Sequence, residues 1–172
     1  GMESLFVHEA SPGHHYQVSL QQEKSKLPKF MRFGWFGAYG EGWAHYCETL
    51  GPEFGLYTDP YQKMGYLSDQ MLRAVRLVVD TGIHTGKMTR EEAITYFLSN
   101  IAYDEAGATA EVERYMAMPG QALGYKIGSL RIRELRDQYQ KQLGNKFSLA
   151  KFHDELLSQG CLPLDVLNRK ME

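Results

Sequence analysis

Nearly everywhere along this chain the apolar side chains recur every three or four residues, and no stretch alternates apolar with polar long enough to make a strand. That period commits the chain to helices that bury their apolar stripes against one another, so the expected fold is all-α, with residues 1–172 in a single helical domain. A first helix is expected over about Ser4–Lys24, disturbed at Pro12. Leu27–Gly40, rich in Phe, Trp, Gly and Lys, reads as a loop. The segment EGWAHYCETL carries a second helix. Asp59-Pro60, a cap followed by proline at the first helical position, starts a third that runs to about Gly82. Thr89 with Glu92 forms a capping box for a fourth. A further helix is expected over Asp104–Met116, stopping before Pro119-Gly120. The longest is expected over Gln121–Leu143, ending at Gly144. Ser148 caps the next, and Pro163 starts the last.

Composition narrows the function classes. At 43% hydrophobic and 23% charged residues, the chain can build an ordinary core. A net charge of −2 offers no electrostatic footprint for nucleic acid or an acidic membrane. No apolar run approaches the roughly 18 residues of a membrane span, and no basic segment followed by an apolar one opens the chain. Cys47 and Cys161 can pair, but two cysteines decide nothing about compartment. Gly1 precedes Met2 and reads as a tag scar. The segment richest in chemistry begins only a few residues later, where chain ends are least ordered. The expectation is therefore the C-terminal part of a larger helical protein.

That segment is FVHEASPGHHYQ, Phe6 to Gln17. It nearly spells H-E-x-x-H, in which two histidines one turn apart bind zinc and the glutamate between them acts as general base. Here His14 lies six residues after His8 and His15 seven. On an unbroken helix His14 falls on the wrong face, and His15 lies about 10.5 Å along the axis. Pro12 changes the geometry, because it clashes with the carbonyl four residues earlier, that of His8, and cannot donate to it. If Ser-Pro-Gly bulges by two residues, with Gly13 supplying the backbone freedom, His14 takes the place of the second ligand. His15 needs a three-residue bulge and is the less favoured alternative. Glu9 then faces the ion's water as general base. The competing reading is a surface cluster of histidines.

A catalytic zinc usually has three protein ligands and an open position. The helix carrying EGWAHYCE places Glu41 four residues from His45 and seven from Glu48, all on one face. Glu41 suits a third ligand. Glu48 suits the group that orients a ligand histidine through its other nitrogen. The competing reading is a solvated acidic face. Trp43, Tyr46 and Cys47 argue instead for a buried helix, in which carboxylates need partners.

HEASPGHHYQ followed by EGWAHYCE resembles the bacterial family catalogued as domain of unknown function 885. RLVVDTGIHTGKMTREEA and RYMAMPGQALGYKIG extend the resemblance over most of the chain. Members resemble gluzincin zinc peptidases, especially the helical thimet-type oligopeptidases, with H-E-F-G-H, a glutamate ligand, and another glutamate seven residues on. The resemblance implies a zincin-like catalytic region with one zinc ion on His8, His14 and Glu41, and Glu9 as base. It departs from that pattern by the two residues inserted before Gly13-His14. It also implies a tyrosine from the Gly-rich segment at the oxyanion, and Tyr125 lies closest to that pattern.

Four apart, Asp80 and His84 suit either a carboxylate–imidazole pair in the site, with His84 a second candidate for the oxyanion, or a helix C-cap. Tyr115 or Tyr125 could be turned into a cleft by the helix break before Pro119-Gly120. Arg133 and Arg136 on the long helix read as an exposed face, the alternative being a partner for a substrate carboxylate, and His153 reads as surface. The leading expectation is a zinc-dependent peptidase acting on peptides, folded but inactive or only weakly active as this chain, with self-association through exposed apolar surface. The alternatives are a helical scaffold or binding module with a structural or absent metal, and a di-metal carboxylate bundle built on Glu41, His45 and Glu48.

Overall fold

The computed structural model describes residues 1–171, and every regular element among them is helical. In chain order the α-helices are α1 Met2–Glu9, α2 His14–Glu23, α3 Lys29–Phe33, α4 Gly37–Glu48, α5 Pro60–His84, α6 Arg90–Asn100, α7 Glu105–Ala117, α8 Gly124–Leu143, α9 Leu149–Leu156 and α10 Leu164–Met171. The caps act where their chemistry requires. Asp59 accepts from the Tyr61 and Gln62 amides while Gln62 reaches back to Asp59, and Thr89 with Glu92 closes the same box on α6. Ser148 accepts from the Lys151 amide to start α9.

Two expectations are corrected. The supposed loop Leu27–Gly40 contains α3 and the first turn of α4. Its Gly40 serves packing rather than breaking: a Cβ there would lie 2.0 Å from the Trp35 ring, so the indole lies directly on the helix. The longest helix is α5, which runs past Gly82 to His84 for 25 residues, and not α8, which has 20 because the expected first turn, Gln121–Leu123, is a separate 3-10 turn. Cys47 and Cys161 are buried free thiols and do not pair.

Two apolar clusters flank the middle of α5 and α8. One joins Tyr39, Trp43, Tyr46 and Leu50 of the α4 segment to Ile132 and Leu135 of α8 and to Phe152, Leu156 and Leu167 of the last two helices. The other joins Val75 and Val79 of α5 to Phe97 of α6 and to Val112 and Tyr115 of α7. Helices α4 and α8 make the most extensive contact in the molecule. They meet at Gly42 and Gly128, where a Cβ on Gly128 would lie 1.8 Å from the Ala38 carbonyl oxygen. Gly128→Val should therefore lower stability by about 3 kcal/mol. A fall of roughly 6–12 °C in Tm by circular dichroism checks this.

Candidate metal centre

The first helix ends at Glu9 and the chain re-enters helix at His14. Between them Ala10–Gly13 bulges, as Pro12 demands. Gly13 crosses the end of α1 so closely that a Cβ there would sit 1.8 Å from the His8 carbonyl oxygen, a space only glycine fills. The bulge is held from below: the Trp43 indole N–H of α4 donates to the Pro12 carbonyl at 2.8 Å.

The bulge turns His14 back over the end of α1, so that the His8 and His14 rings meet edge to face at 4.8 Å. Glu41 reaches both from α4, with Oε2 3.1 Å from His14 Nε2 and 3.6 Å from His8 Nε2. Two ligands 2.0–2.1 Å from a tetrahedral zinc stand about 3.3 Å apart, so these spacings suit one ion. His8, His14 and Glu41 form the one group of potential metal ligands this close among the described residues, with one donor atom of each within 4.8 Å of the others. His15 is exposed, and Glu9, the last residue of α1, is exposed and not among the converging donors.

Behind the triad, His8 Nδ1–H donates to Glu48 Oε1 at 2.7 Å, so that when the ring is neutral Nε2, which faces Glu41, is the nitrogen left free for a metal. The other Glu48 oxygen is engaged by His45 Nδ1 at 3.1 Å and by the Gln70 amide at 3.1 Å. Lys126 in turn donates to Gln70. With both oxygens occupied, Glu48 orients His8 rather than serving as a ligand, and His45 braces Glu48. Burial works against a charge on His8, but the facing Glu41 and Glu48 carboxylates outweigh it and raise its pKa to about 9. Burial likewise opposes ionisation of Glu41 and Glu48. The histidine partners prevail, His14 first for Glu41 and His45 first for Glu48, and hold both near 2. Burial lowers the pKa of His45 itself.

Because His8 must be neutral to bind a metal, its raised pKa makes ion and proton compete. A zinc ion held by His8 would bind about tenfold more tightly per pH unit toward pH 9 and level off above it, with about one proton released near neutrality. Calorimetry in buffers of different ionisation heat measures that proton. In the metal-free protein the same shift stabilises the fold fully below pH 6.5 and is lost as pH rises through about 9.

Tyr125, at the start of α8, stacks its ring 6.2 Å from that of His8. The guanidinium groups of Arg73 and Arg76 lie 5.2 and 5.0 Å from the Tyr125 ring centre. Tyr115 is instead buried, donating to Glu111 and accepting from Arg76. Asp80 and His84 do not form a pair. Asp80 accepts from the Gly120 amide through both oxygens, at 3.1 Å, and His84 Nε2–H donates to the Tyr115 carbonyl at 3.0 Å. They fasten the α7–α8 turn beside the site, and His84 is not among the converging residues. Two other expectations fail. His153 is a partly buried ring bonded to the Tyr46 hydroxyl at 2.9 Å, its pKa pushed down to about 4 by burial and by Arg136. Arg136 is no idle surface cation, since it pairs with Glu53 at 2.8 Å.

The sequence reading missed Gln70, Arg73 and Arg76, which stand at successive three-residue steps on α5. A polar stripe at core-facing spacing, next to Val75 and Val79, was the available signal. It also missed the cleft of about 450 Å³ that opens from Glu41 between the starts of α4 and α8, walled by Trp35, Leu123 and Ile127 and floored by Gly37, Ala38 and Gly124.

The chain belongs to the family described as bacterial protein of unknown function (DUF885), whose pattern matches residues 1–171. It is similar to the crystal structure of a presumed lipoprotein from Colwellia psychrerythraea, with a TM-score of 0.96 and 48% identity, over 99% of this chain and 29% of that one. It is also similar to a presumed lipoprotein of unknown function from Shewanella oneidensis, with a TM-score of 0.87 and 30% identity, over 99% of this chain and 31% of that one. The chain thus spans less than a third of either. No curated protein gave a match. Among the described residues no helix is long and apolar enough to cross a membrane.

Proposed function

We infer that this chain carries the metal-binding and catalytic residues of a zinc-dependent peptidase of the gluzincin kind. The observation that carries the reading is the convergence of His8 Nε2, His14 Nε2 and the Glu41 carboxylate, with Glu48 fixing the His8 tautomer from behind. Three ligands, two of them part-exposed and one of these, Glu41, lining a cleft, suit a catalytic site with an open position better than a closed structural one.

The ion would act as a Lewis acid and make its water acidic enough to lose a proton near neutral pH. Glu9, exposed at the rim, would accept that proton as the water oxygen bonds to the peptide carbonyl carbon. It would return the proton to the amine nitrogen as the C–N bond breaks. The Tyr125 hydroxyl, on the ring stacked beside His8, would donate to the charge developing on the carbonyl oxygen. His84, held on the Tyr115 carbonyl, would contribute by fixing the turn that presents Tyr125. The glycine-floored cleft beside Glu41 would take a bulky apolar side chain of the peptide.

The competing reading is a helical binding module with a metal that is structural or absent. The di-metal variant is disfavoured because both Glu48 oxygens are already engaged by histidine. The test is metal analysis and anomalous scattering on zinc-supplemented protein, together with hydrolysis of a mixed peptide library. One zinc at His8, His14 and Glu41 with cleavage supports the peptidase. Zinc without cleavage, in this chain and in a full-length relative, supports the module. Exposed Met2, Leu5 and Phe6 of α1 and Met64, Leu67 and Met71 of α5 give the isolated chain an apolar surface suited to self-association.

A further inference from the structure

We propose that Arg73 is a substrate-binding residue that captures the C-terminal carboxylate of a peptide, which makes the hydrolase a carboxypeptidase acting on the last few residues. The inference rests on the peptidase reading and narrows its substrate class.

Its starting point is a contrast between two arginines on one face of α5. Arg76 is neutralised: its guanidinium meets Glu111 at 2.8 Å and the Tyr115 hydroxyl at 2.9 Å. Arg73, three residues earlier, makes no hydrogen bond or ion pair with any described residue, and its Nε is buried without a partner. A guanidinium always carries its charge and five donors, so holding one half-buried and unpaired costs stability unless a ligand completes it. Such a cost is expected where a site is built for a ligand.

The position of Arg73 identifies the ligand. Its guanidinium lies 5.2 Å from the Tyr125 ring, and that ring lies 6.2 Å from His8. The separation between Arg73 and the His8 ring cannot exceed the sum of these two distances. That is no more than about three residues of extended peptide. A carboxylate on Arg73 therefore belongs to a residue close to the bond being cut. Arg73 also lines a small cavity of about 150 Å³ with His8, Glu48, Asp69 and Ser4. Glu48 is already held by two histidines. Asp69, one turn before Arg73, lies beyond ion-pair distance. A planar fork beside a ligand histidine matches a carboxylate in charge and in bidentate geometry.

The test uses an N-acetylated tripeptide as the free acid and as its C-terminal amide, titrated calorimetrically into the Glu9→Gln protein with and without zinc. The acid should bind at least about tenfold tighter than the amide. In Arg73→Gln the difference should vanish with amide affinity unchanged, Arg73→Lys should recover part of it, and Arg73→Gln should melt no lower than its parent. Equal or undetectable binding of acid and amide, an acid preference that survives Arg73→Gln, or a markedly lower Tm in that variant overturns the proposal. Cleavage of acid and amide alike by the zinc-loaded parent removes the carboxypeptidase assignment and leaves the peptidase. Failure to take up zinc removes the peptidase, while the acid–amide comparison in zinc-free protein still decides the role of Arg73.

Discussion

Glu9→Gln should take up one zinc with unchanged affinity and hydrolyse peptides at least a hundredfold more slowly than the parent. The glutamine keeps the size of the side chain at the rim of the site but cannot accept a proton from the attacking water, and general-base catalysis is worth about 10²–10⁴ in rate. The carboxylate is exposed and outside the converging triad, so its loss takes no ligand from the ion and leaves no buried partner unsatisfied. Zinc content by mass spectrometry and the rate of peptide cleavage are measured on one preparation. Parent-like hydrolysis in a zinc-loaded Glu9→Gln protein removes the proposed mechanism, and loss of zinc would instead make Glu9 a ligand.

The second large effect concerns the triad. His8→Ala and Glu41→Ala should each abolish stoichiometric zinc binding at micromolar metal, because two remaining ligands cannot hold the ion. The two should differ in fold stability. His8→Ala strands Glu48 with one of its two histidine partners gone, in a site where Glu48 is 1% exposed. Glu41 is only part-buried and faces the cleft, so its removal leaves no comparable buried charge. His8→Ala should therefore melt below Glu41→Ala, although both lose the metal. Calorimetric zinc titration and thermal denaturation check the two halves separately. Zinc retained by Glu41→Ala would place the third ligand elsewhere.

How much of this was legible beforehand depends on the range of the interaction. The caps at Asp59 and Thr89 are local, each closed within three residues, and the sequence pattern specifies them. The break at Pro12 is local too, since the proline ring acts on a carbonyl four residues away, and it leads directly to His14 over His15. Glu48 as the partner of His8 was reachable from its seven-residue spacing to Glu41. The rest depends on encounters between distant segments. Gly40 reads as a helix breaker until the Trp35 ring is found lying on it. Asp80 and His84 share a helical face, yet Asp80 takes the Gly120 amide of the α7–α8 turn and His84 the Tyr115 carbonyl at the end of α7. His153 reads as surface because Trp43 and Tyr46, which enclose it, are more than a hundred residues away.

The bulge at Pro12 also bears on how such a site can be altered. Without Ser11 and Pro12 the sequence from His8 would read H-E-A-G-H, which sets His8 and His14 one turn apart on a continuous helix. The same juxtaposition of two histidines is thus reachable by two backbone routes, one regular and one looped. The looped route is fastened by Trp43, whose buried indole N–H has the Pro12 carbonyl as its acceptor. A deletion that regularises the helix would orphan that donor in the core, at a cost of about 1–3 kcal/mol. The insertion and the tryptophan are therefore interlocked. Shortening the loop should be tolerated only together with an apolar replacement at position 43, so neither change is neutral alone, and the detour is maintained by a residue that lies outside the proposed metal site.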